Sequence, residues 1–166
     1  MWVPLLHTKV PGVPRAGGSK RHIGGGRVID ASPRAKEWRA NVTSFVYEAM
    51  VKGAIDKAQG PVSFRLVFYF TRPKSHYRTG KNAGVLKDNA PKLHLQRPDV
   101  TKLIRSTEDA ITDAGLWMDD CYVVLQQAAK RWAGPHEFQG AVISVKHWVD
   151  DDKEDTEHAT QATDQL

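Results

Sequence analysis

The chain has 166 residues, of which 40% are hydrophobic and 26% charged, and its formal net charge is +5. This length fits one domain with a sizeable core, and no apolar run approaches the ~20 residues needed to cross a bilayer. The start, MWVPLLHTKVPG, lacks the charged region and cleavage site of a signal peptide. Cys121 is the only cysteine, which excludes an internal disulfide and a cysteine-based zinc site. We therefore expect a cytoplasmic protein with no membrane partner, in which Cys121 is a small, partly buried residue.

Charge is distributed unevenly along the chain. Residues 150–166 hold seven acids and one lysine, so this segment carries −6 while residues 1–149 carry +11. A body this basic indicates a polyanionic partner, for which nucleic acid is the usual candidate. The acidic segment has no apolar period, which predicts a disordered tail outside a domain spanning residues 1–149. Such a tail would either compete for a basic DNA surface or aid solubility, and solubility is the favoured interpretation.

The first third of the chain opens with extended segments. Residues 5–10 and 27–30 are predicted to be the two strands of a loose hairpin joined by glycine-rich turns. The joining segment GGSKRHIGGGR does not have the spacing of a phosphate-binding P-loop. Its Lys20 and Arg21 either contact a DNA backbone or lie at a mobile hairpin tip.

A helix and a strand follow. Ser32 is suited to the N-cap and Pro33 to the first helical position, and the helix should end near Gly53. Its apolar face repeats at helical spacing and comprises Trp38, Val42, Phe45, Val46 and Ala49. The segment GPVSFRLVFYFTRP then alternates in the manner of a strand, with one face made of Val62, Phe64, Leu66, Phe68 and Phe70.

Residues 71–97 form a long segment without a period. It contains seven Lys or Arg residues and one acid, Asp88. Long loops in compact domains are usually functional or disordered, so this one either grips phosphates or is solvated. The DNA-contact candidates in it are Lys74, Arg78, Lys81, Lys87, Lys92 and Arg97.

The segment RPDVTKLIRSTEDAITDAGLWMDD, residues 97–120, contains the candidate catalytic and metal-binding residues. An apolar stripe predicts a helix over residues 100–113, with Asp99 at its N-cap and Gly115 just past its end. Asp119 and Asp120 precede a strand, CYVVLQQAAKRWA, and GAVISVKHWVD is a last strand. The element order predicts a single mixed α/β domain of the α+β type, in which two helices cover one sheet.

The three aspartates have two interpretations. Capping and turn chemistry account for each of them separately, and alternatively they are ligands of a metal ion. Asp99 and the later pair stand at opposite ends of a helix about 20 Å long. Only tertiary structure decides whether they meet.

The same segment resembles the RusA family of Holliday-junction resolvases. Pro98-Asp99 matches the family's Pro-Asp helix start, Arg105 its basic residue, Asp109-Ala110-Ile111 its DAL segment, and GLWMDD its acidic pair. The resemblance covers about residues 5–149. It implies a small dimeric endonuclease, common in bacteria and their phages, with a RusA-like fold.

Three positions depart from the family pattern. Thr101 stands where the family has a second aspartate, Lys102 where it has an asparagine, and Tyr122 where it has a glutamine. Either Asp99, Asp119 and Asp120 suffice, or Glu108 or Asp109 compensates, or activity is weakened or lost. Glu108 lies more than two turns from Asp99, which disfavours it as a direct ligand. The alternative function is therefore a noncatalytic dimeric protein that binds branched DNA.

If the chain is active, the resemblance implies Mg²⁺-dependent hydrolysis of phosphodiester bonds, with Mn²⁺ able to substitute. Asp99 and Asp120 are then the best ligand candidates, Asp119 supports them, and Arg105 clamps a phosphate oxygen. Lys102 either does the same or is simply solvated. The implied partner is four-way junction DNA, cut by a two-fold homodimer through paired symmetric nicks in recombination and repair. No small-molecule substrate is expected.

Overall fold

The computed structural model describes residues 1–17, 20–22, 24–25, 28–30, 33–134 and 138–150. In chain order its helices and strands are β1 (Trp2–Pro11), β2 (Lys20–His22), β3 (Val28–Asp30), α1 (Pro33–Gly53), β4 (Val62–Phe70), α2 (Val100–Asp113), β5 (Val123–Trp132) and β6 (Gly140–Trp148). The predicted acidic tail and the predicted N-cap Ser32 lie outside the described residues.

The main sheet has four strands in the order β1-β6-β4-β5. Strands β4 and β5 are parallel, whereas β6 pairs antiparallel with both β4 and β1. A parallel pair needs a crossover connection, and α2 supplies it between β4 and β5. The result is the predicted α+β domain: a mixed sheet with two helices.

Both helices pack on one face of this sheet. The predicted strand face from Val62 to Phe70 is buried, and Trp38, Val42 and Val46 of α1 join it in one core. From α2, Leu103, Ala110 and Ile111 enter the same core. Burial of apolar side chains contributes about 1.5–3 kcal/mol each, so this shared core fixes α2 against the sheet.

The predicted pairing of the first strand was wrong. Strand β1 pairs with β6, with Leu6 opposite Val145 and Val10 opposite Ala141, and β3 pairs instead with the short β2. Leu6 and Val10 are buried. The ten-residue strand β1 can bury them only by pairing along its length with a long strand of the main sheet, because β3 has three residues. The glycine-rich segment closes its own small two-stranded sheet. Arg27, at the start of the predicted second strand, lies outside the described residues.

Two local expectations also change. Cys121 is exposed rather than partly buried, because it lies in a 3₁₀ turn, Asp120–Tyr122, before β5. The loop after β4 is anchored to the sheet: His94 is 6% exposed, and its ring lies 4.3 Å from those of both Phe70 and Trp132. Across the described parts of the chain, no helix is long and apolar enough to span a bilayer.

Candidate active site

Asp99 lies at the N-terminus of α2, which is called the entrance of α2 here, and its carboxylate is not used for capping. Its backbone has the extended conformation of an N-cap residue, but its side chain makes no capping hydrogen bond. The carboxylate is 65% exposed, and its nearest cation is the Lys102 Nζ at 3.9 Å. Capping therefore accounts for the position of Asp99 but not for its carboxylate.

The chain before Asp99 is held from the sheet. Lys130, near the end of β5, donates hydrogen bonds to the carbonyl oxygens of Gln96 at 2.8 Å and Pro98 at 2.9 Å. The Arg97–Pro98 peptide bond is cis. The entrance of α2 is thus positioned beside the C-terminal end of β5. The ammonium of Lys130 is a positioning group that the sequence did not single out.

The exposed side of the first turns of α2 is polar. Thr101, Lys102 and Arg105 are all exposed. Thr101, which replaces the family's second aspartate, brings no charge here, and Lys102 adds a positive one. Lys102 and Arg105 can bind phosphate oxygens at this end of α2. A divalent cation would find one carboxylate here, that of Asp99.

Asp119 and Asp120 lie at the other end of α2. The Thr112 hydroxyl donates to the Asp120 Oδ1 at 2.5 Å and accepts from the Trp117 indole N–H at 2.7 Å. The Asp119 Oδ1 accepts from the Cys121 backbone N–H at 2.9 Å. This hydrogen bond lowers the pKa of Asp119 below its ordinary value, because it favours the charged form. Both aspartates are exposed and present oxygen atoms to solvent.

Glu108 joins this second group of acids. Burial raises the pKa of Glu108, the charges of Asp120 and Asp109 raise it further, and Arg105 opposes them. The Gln126 side chain donates to the Glu108 Oε1 at 3.3 Å. Glu108 is therefore a neighbour of Asp120, not of Asp99. Helical spacing relates Glu108 to Asp99 only, whereas the fold brings Glu108 close to Asp120.

The remaining acids of α2 are engaged elsewhere. The guanidinium of Arg39 on α1 lies 2.8 Å from Asp113 and 3.7 Å from Asp109. Asp109 was one of the two acids considered as replacements for the residue missing at Thr101. Its pairing with Arg39 turns it toward α1.

The predicted acids thus form two groups in one chain, separated by a helix of fourteen residues, about 21 Å long. Asp99 lies at one end, and Asp120 lies at the other with Asp119 next to it in sequence and Glu108 as a neighbouring charge. In the described part of the chain, no three His, Cys, Asp or Glu side chains are close enough to hold one metal ion. Thr112, Trp117 and Gln126, which orient this second group, had no signal in the sequence.

The long basic loop lies beside the Asp99 end. Trp132 of β5 donates its indole N–H to the Leu93 carbonyl at 3.1 Å, and Arg72 stacks over the Trp132 ring at 5.4 Å. Arg78 pairs with Asp88 through two bonds of 2.9 and 3.0 Å, so the one acid of the loop neutralises one of its seven cations. The predicted contacts that remain exposed without a described acid partner are Lys74, Lys81, Lys87, Lys92 and Arg97.

The other predicted DNA contacts are less defined. Lys20 and Arg21 belong to β2, and their side chains lie outside the described residues. Lys102 lies on α2 between Asp99 and Arg105. Within the loop, Leu93 and Gln96 are held by the C-terminal end of β5, where the chain enters α2.

Comparison with known proteins identifies one family. The family model described as Endodeoxyribonuclease RusA matches residues 11–160, most of the chain. The matched range extends past residue 149, the predicted end of the domain. A search of curated proteins returned no match.

Proposed function

Because the chain belongs to the RusA family of Holliday-junction-resolving endodeoxyribonucleases, we propose that it resolves four-way DNA junctions by Mg²⁺-dependent, paired symmetric nicks. The observation that carries this proposal is the uncapped, exposed carboxylate of Asp99 beside a loop rich in lysine. An N-cap aspartate that served only the helix would direct its oxygen to the backbone N–H groups of the first turn.

The donor set fits a hard divalent cation. Asp99, Asp119 and Asp120 offer exposed carboxylate oxygens, which are the ligands that Mg²⁺ takes together with water and substrate phosphate. When bound, Mg²⁺ supplies Lewis-acid activation of water and neutralises charge at the phosphate. We assign Asp99 and Asp120 as ligands and Asp119 as a supporting ligand.

Two further side chains support hydrolysis around this set. Arg105 is exposed on α2 between the two acid groups, where its guanidinium can hold a non-bridging phosphate oxygen. Glu108 has a raised pKa, so at neutral pH its Oε atoms accept a proton from water more readily than an ordinary carboxylate does. Thr101 takes no part.

The distance between the two acid groups supports a two-chain site. Strand β5 is an edge strand, and exposed apolar side chains, Val124 and Leu125, lie on it. Asp119 and Asp120 precede its N-terminal end, and Lys130 holds the Asp99 segment at its C-terminal end. If β5 pairs antiparallel with its copy across a two-fold axis, Asp99 of one protomer comes beside Asp120 of the partner subunit. We therefore propose a homodimer with two composite sites, one for each nick.

Mixed dimers test this arrangement. Asp99→Asn and Asp120→Asn chains should each be inactive alone. In a dimer of one chain of each kind, one composite site contains both substitutions and the other contains neither. Half of randomly formed dimers are mixed, and each mixed dimer has one intact site of two. Co-expressing the two chains should therefore restore about a quarter of the wild-type number of intact sites. A mixed dimer should make a single nick and should not resolve the junction fully.

The control is an Asp99→Asn/Asp120→Asn double variant co-expressed with the Asp120→Asn chain, a pairing that contains no intact site of either kind. Absence of nicking in the mixed dimers would exclude the composite site. If the unsubstituted chain binds junctions tightly without nicking them in Mg²⁺, the enzyme proposal itself fails and the noncatalytic alternative holds.

The basic loop supports junction binding. The loop carries exposed cations and leads directly into α2, and phosphate contacts of this kind position a protein on DNA without reading its sequence. We propose that Lys74, Lys81, Lys87, Lys92 and Arg97 hold the arms near the cut, with Lys102 beside Asp99. Arg78 contributes less, because Asp88 already neutralises it. Lys20 and Arg21 remain candidate contacts.

A further inference from the structure

The main sheet contains no acidic residue. The chain has 19 Asp and Glu, yet none falls in β1, β4, β5 or β6. These strands carry five cations, which are Lys9, Arg65, Lys130, Arg131 and Lys146. The acids lie instead on the helices, in the connections, at Asp30 of β3 and in residues 150–166.

Four of the five cations share the sheet face opposite the helices. Arg65 pairs in register with Ser144, and Lys9 with Val142, so these side chains project on the side away from buried Ile143 and Val145. Lys146 and Arg131 fall on the same side by the same alternation. All four are exposed, and none forms an ion pair with a carboxylate in the described part of the chain.

The sheet face opposite the helices is called the open sheet face here. One end of it forms a polar hollow. A hollow of about 410 Å³ is lined by Arg65, Lys146, Ser63, Gln127, Ser144 and Leu125. Trp2 borders it and stacks edge-on against Trp148 at 5.4 Å. Two cations and three neutral hydrogen-bonding side chains in one hollow suit a phosphate group, because every charged group in it is positive.

Each strand of the main sheet contributes one of the four cations, which are Lys9 on β1, Lys146 on β6, Arg65 on β4 and Arg131 on β5. In register, Lys146 is level with Ser63 of β4, Lys9 with Val67 through Val142, and Arg131 with Tyr69. The cations therefore extend from the level of Ser63 to that of Tyr69, which is about 20 Å at 3.3 Å per residue. Positive charge thus crosses the whole face, which suits the phosphate backbone of a duplex.

The open face also continues into the proposed DNA-contact loop. Arg131 is followed by Trp132, which bonds to Leu93 of the loop and carries Arg72 on its ring. Arg131 of the open face is therefore next in sequence to the residue that anchors the proposed DNA-contact loop.

We propose that the open sheet face is a second nucleic-acid-binding surface, which holds the phosphate backbone of a duplex arm leaving the junction. The proposal rests on the proposed function, since a four-way junction places duplex on more than one side of the protein. The cut itself stays with the acids at the ends of α2.

The test is the double variant Arg65→Gln/Lys146→Gln. The matched control is Lys36→Gln/Lys52→Gln, which removes the same charge from exposed positions of α1. Binding to a synthetic four-way junction is measured without divalent cation, from 0.05 to 0.3 M salt (concentrations chosen for the roughly log-linear range). The sheet variant should bind at least about tenfold more weakly at 0.1 M salt, and its salt slope should fall by about 2, or about 0.9 per lost phosphate contact. The control should match the unsubstituted chain.

Three outcomes would overturn the proposal. The first is an affinity and salt slope equal to those of the control. The second is a change of oligomeric state in the sheet variant on size-exclusion chromatography, which would assign the face to a second copy. The third is an effect that appears only in a chain ending at Asp150, which would assign the face to residues 151–166. Nicking by the unsubstituted chain in Mg²⁺ tests the proposed function separately, so the two failures are distinguishable.

Discussion

Asp99 shows most directly how a single residue separates a structural role from a chemical one. Its backbone begins α2, but its carboxylate makes no cap bond. Asp99→Asn should therefore leave the free energy of unfolding within about 0.5 kcal/mol. Nicking should fall at least about 100-fold, since a proposed ligand of the metal ion is lost. Junction binding should stay the same or tighten, because a negative charge near phosphate is removed.

Urea unfolding, a binding titration and a nicking assay on one preparation decide this prediction. Asp56→Asn, which removes an exposed carboxylate between α1 and β4, is the control for loss of one charge. A large drop in stability of Asp99→Asn would show that the residue serves the helix after all.

The second prediction for a single residue concerns Glu108. Its folded-state pKa is raised, so between the ordinary and raised pKa values the folded chain binds more protons than the unfolded chain. Its contribution to stability is therefore present below the ordinary pKa and lost as pH rises through the raised pKa. Glu108→Gln should stabilise the chain at pH 7 by a few tenths of a kcal/mol after solvent screening, with no gain in acid.

The same substitution should slow nicking by about 100-fold, because a proton acceptor is lost. Glu37→Gln, at an exposed position of α1, should change neither property. A pH-independent stability difference would refute the titration argument, and unchanged nicking would remove Glu108 from the proposed chemistry.

Among the larger elements, the basic loop has one buried imidazole among its anchors. His94 lies between Phe70 and Trp132, and burial, followed by the charge of Lys130, lowers the pKa of His94. The guanidinium of Arg72 also lies over the Trp132 ring, so positive charge faces this site from the loop and from the sheet. Protonation of His94 is therefore unfavourable in the anchored state.

A lowered pKa means that the unfolded or released loop binds more protons. The free energy that His94 contributes to anchoring the loop is fully present above the ordinary histidine pKa. It is lost as pH falls toward the lowered pKa of His94. Tryptic cleavage in the loop at Lys81 and Lys87 should thus accelerate several-fold between pH 7.5 and 5.5, relative to cleavage of an unstructured peptide. His94→Phe should abolish this dependence and His7→Asn should keep it. Equal pH profiles for His94→Phe and the unsubstituted chain would contradict the anchor.

At the scale of the whole molecule, the proposed composite site needs two chains, because Asp99 and Asp120 of one chain lie a helix length apart. Val124 is 60% exposed on the unpaired edge of the described sheet, and a lysine on such an edge opposes strand pairing. If two chains pair through β5 as proposed, Val124→Lys should leave the monomer folded, shift the chain from dimer to monomer in analytical ultracentrifugation, and make nicking steeply dependent on protein concentration. Val51→Lys, at an equally exposed apolar site on α1, is the control. A monomeric Val124→Lys chain with full activity would exclude the composite site.

The family and most of the elements could be predicted from the sequence. Periodicity gave the bounds of α1 after its N-cap, the buried face of β4 and the extent of α2, because these depend on residues within a few turns of one another. The motif around residues 97–120 indicated the RusA family, which the family match confirms. The mixed sheet with two helices followed from the order of the elements.

Tertiary structure alone decided which distant groups meet. It paired β1 with β6, placed Glu108 beside Asp120, left the Asp99 carboxylate uncapped and kept the two acid groups a helix length apart. It also collected four cations on one open sheet face, although the absence of acids from all four strands was visible in the sequence. The physical reason is that helix and strand formation depend on short-range spacing, whereas side-chain proximity across the fold depends on how the whole core packs.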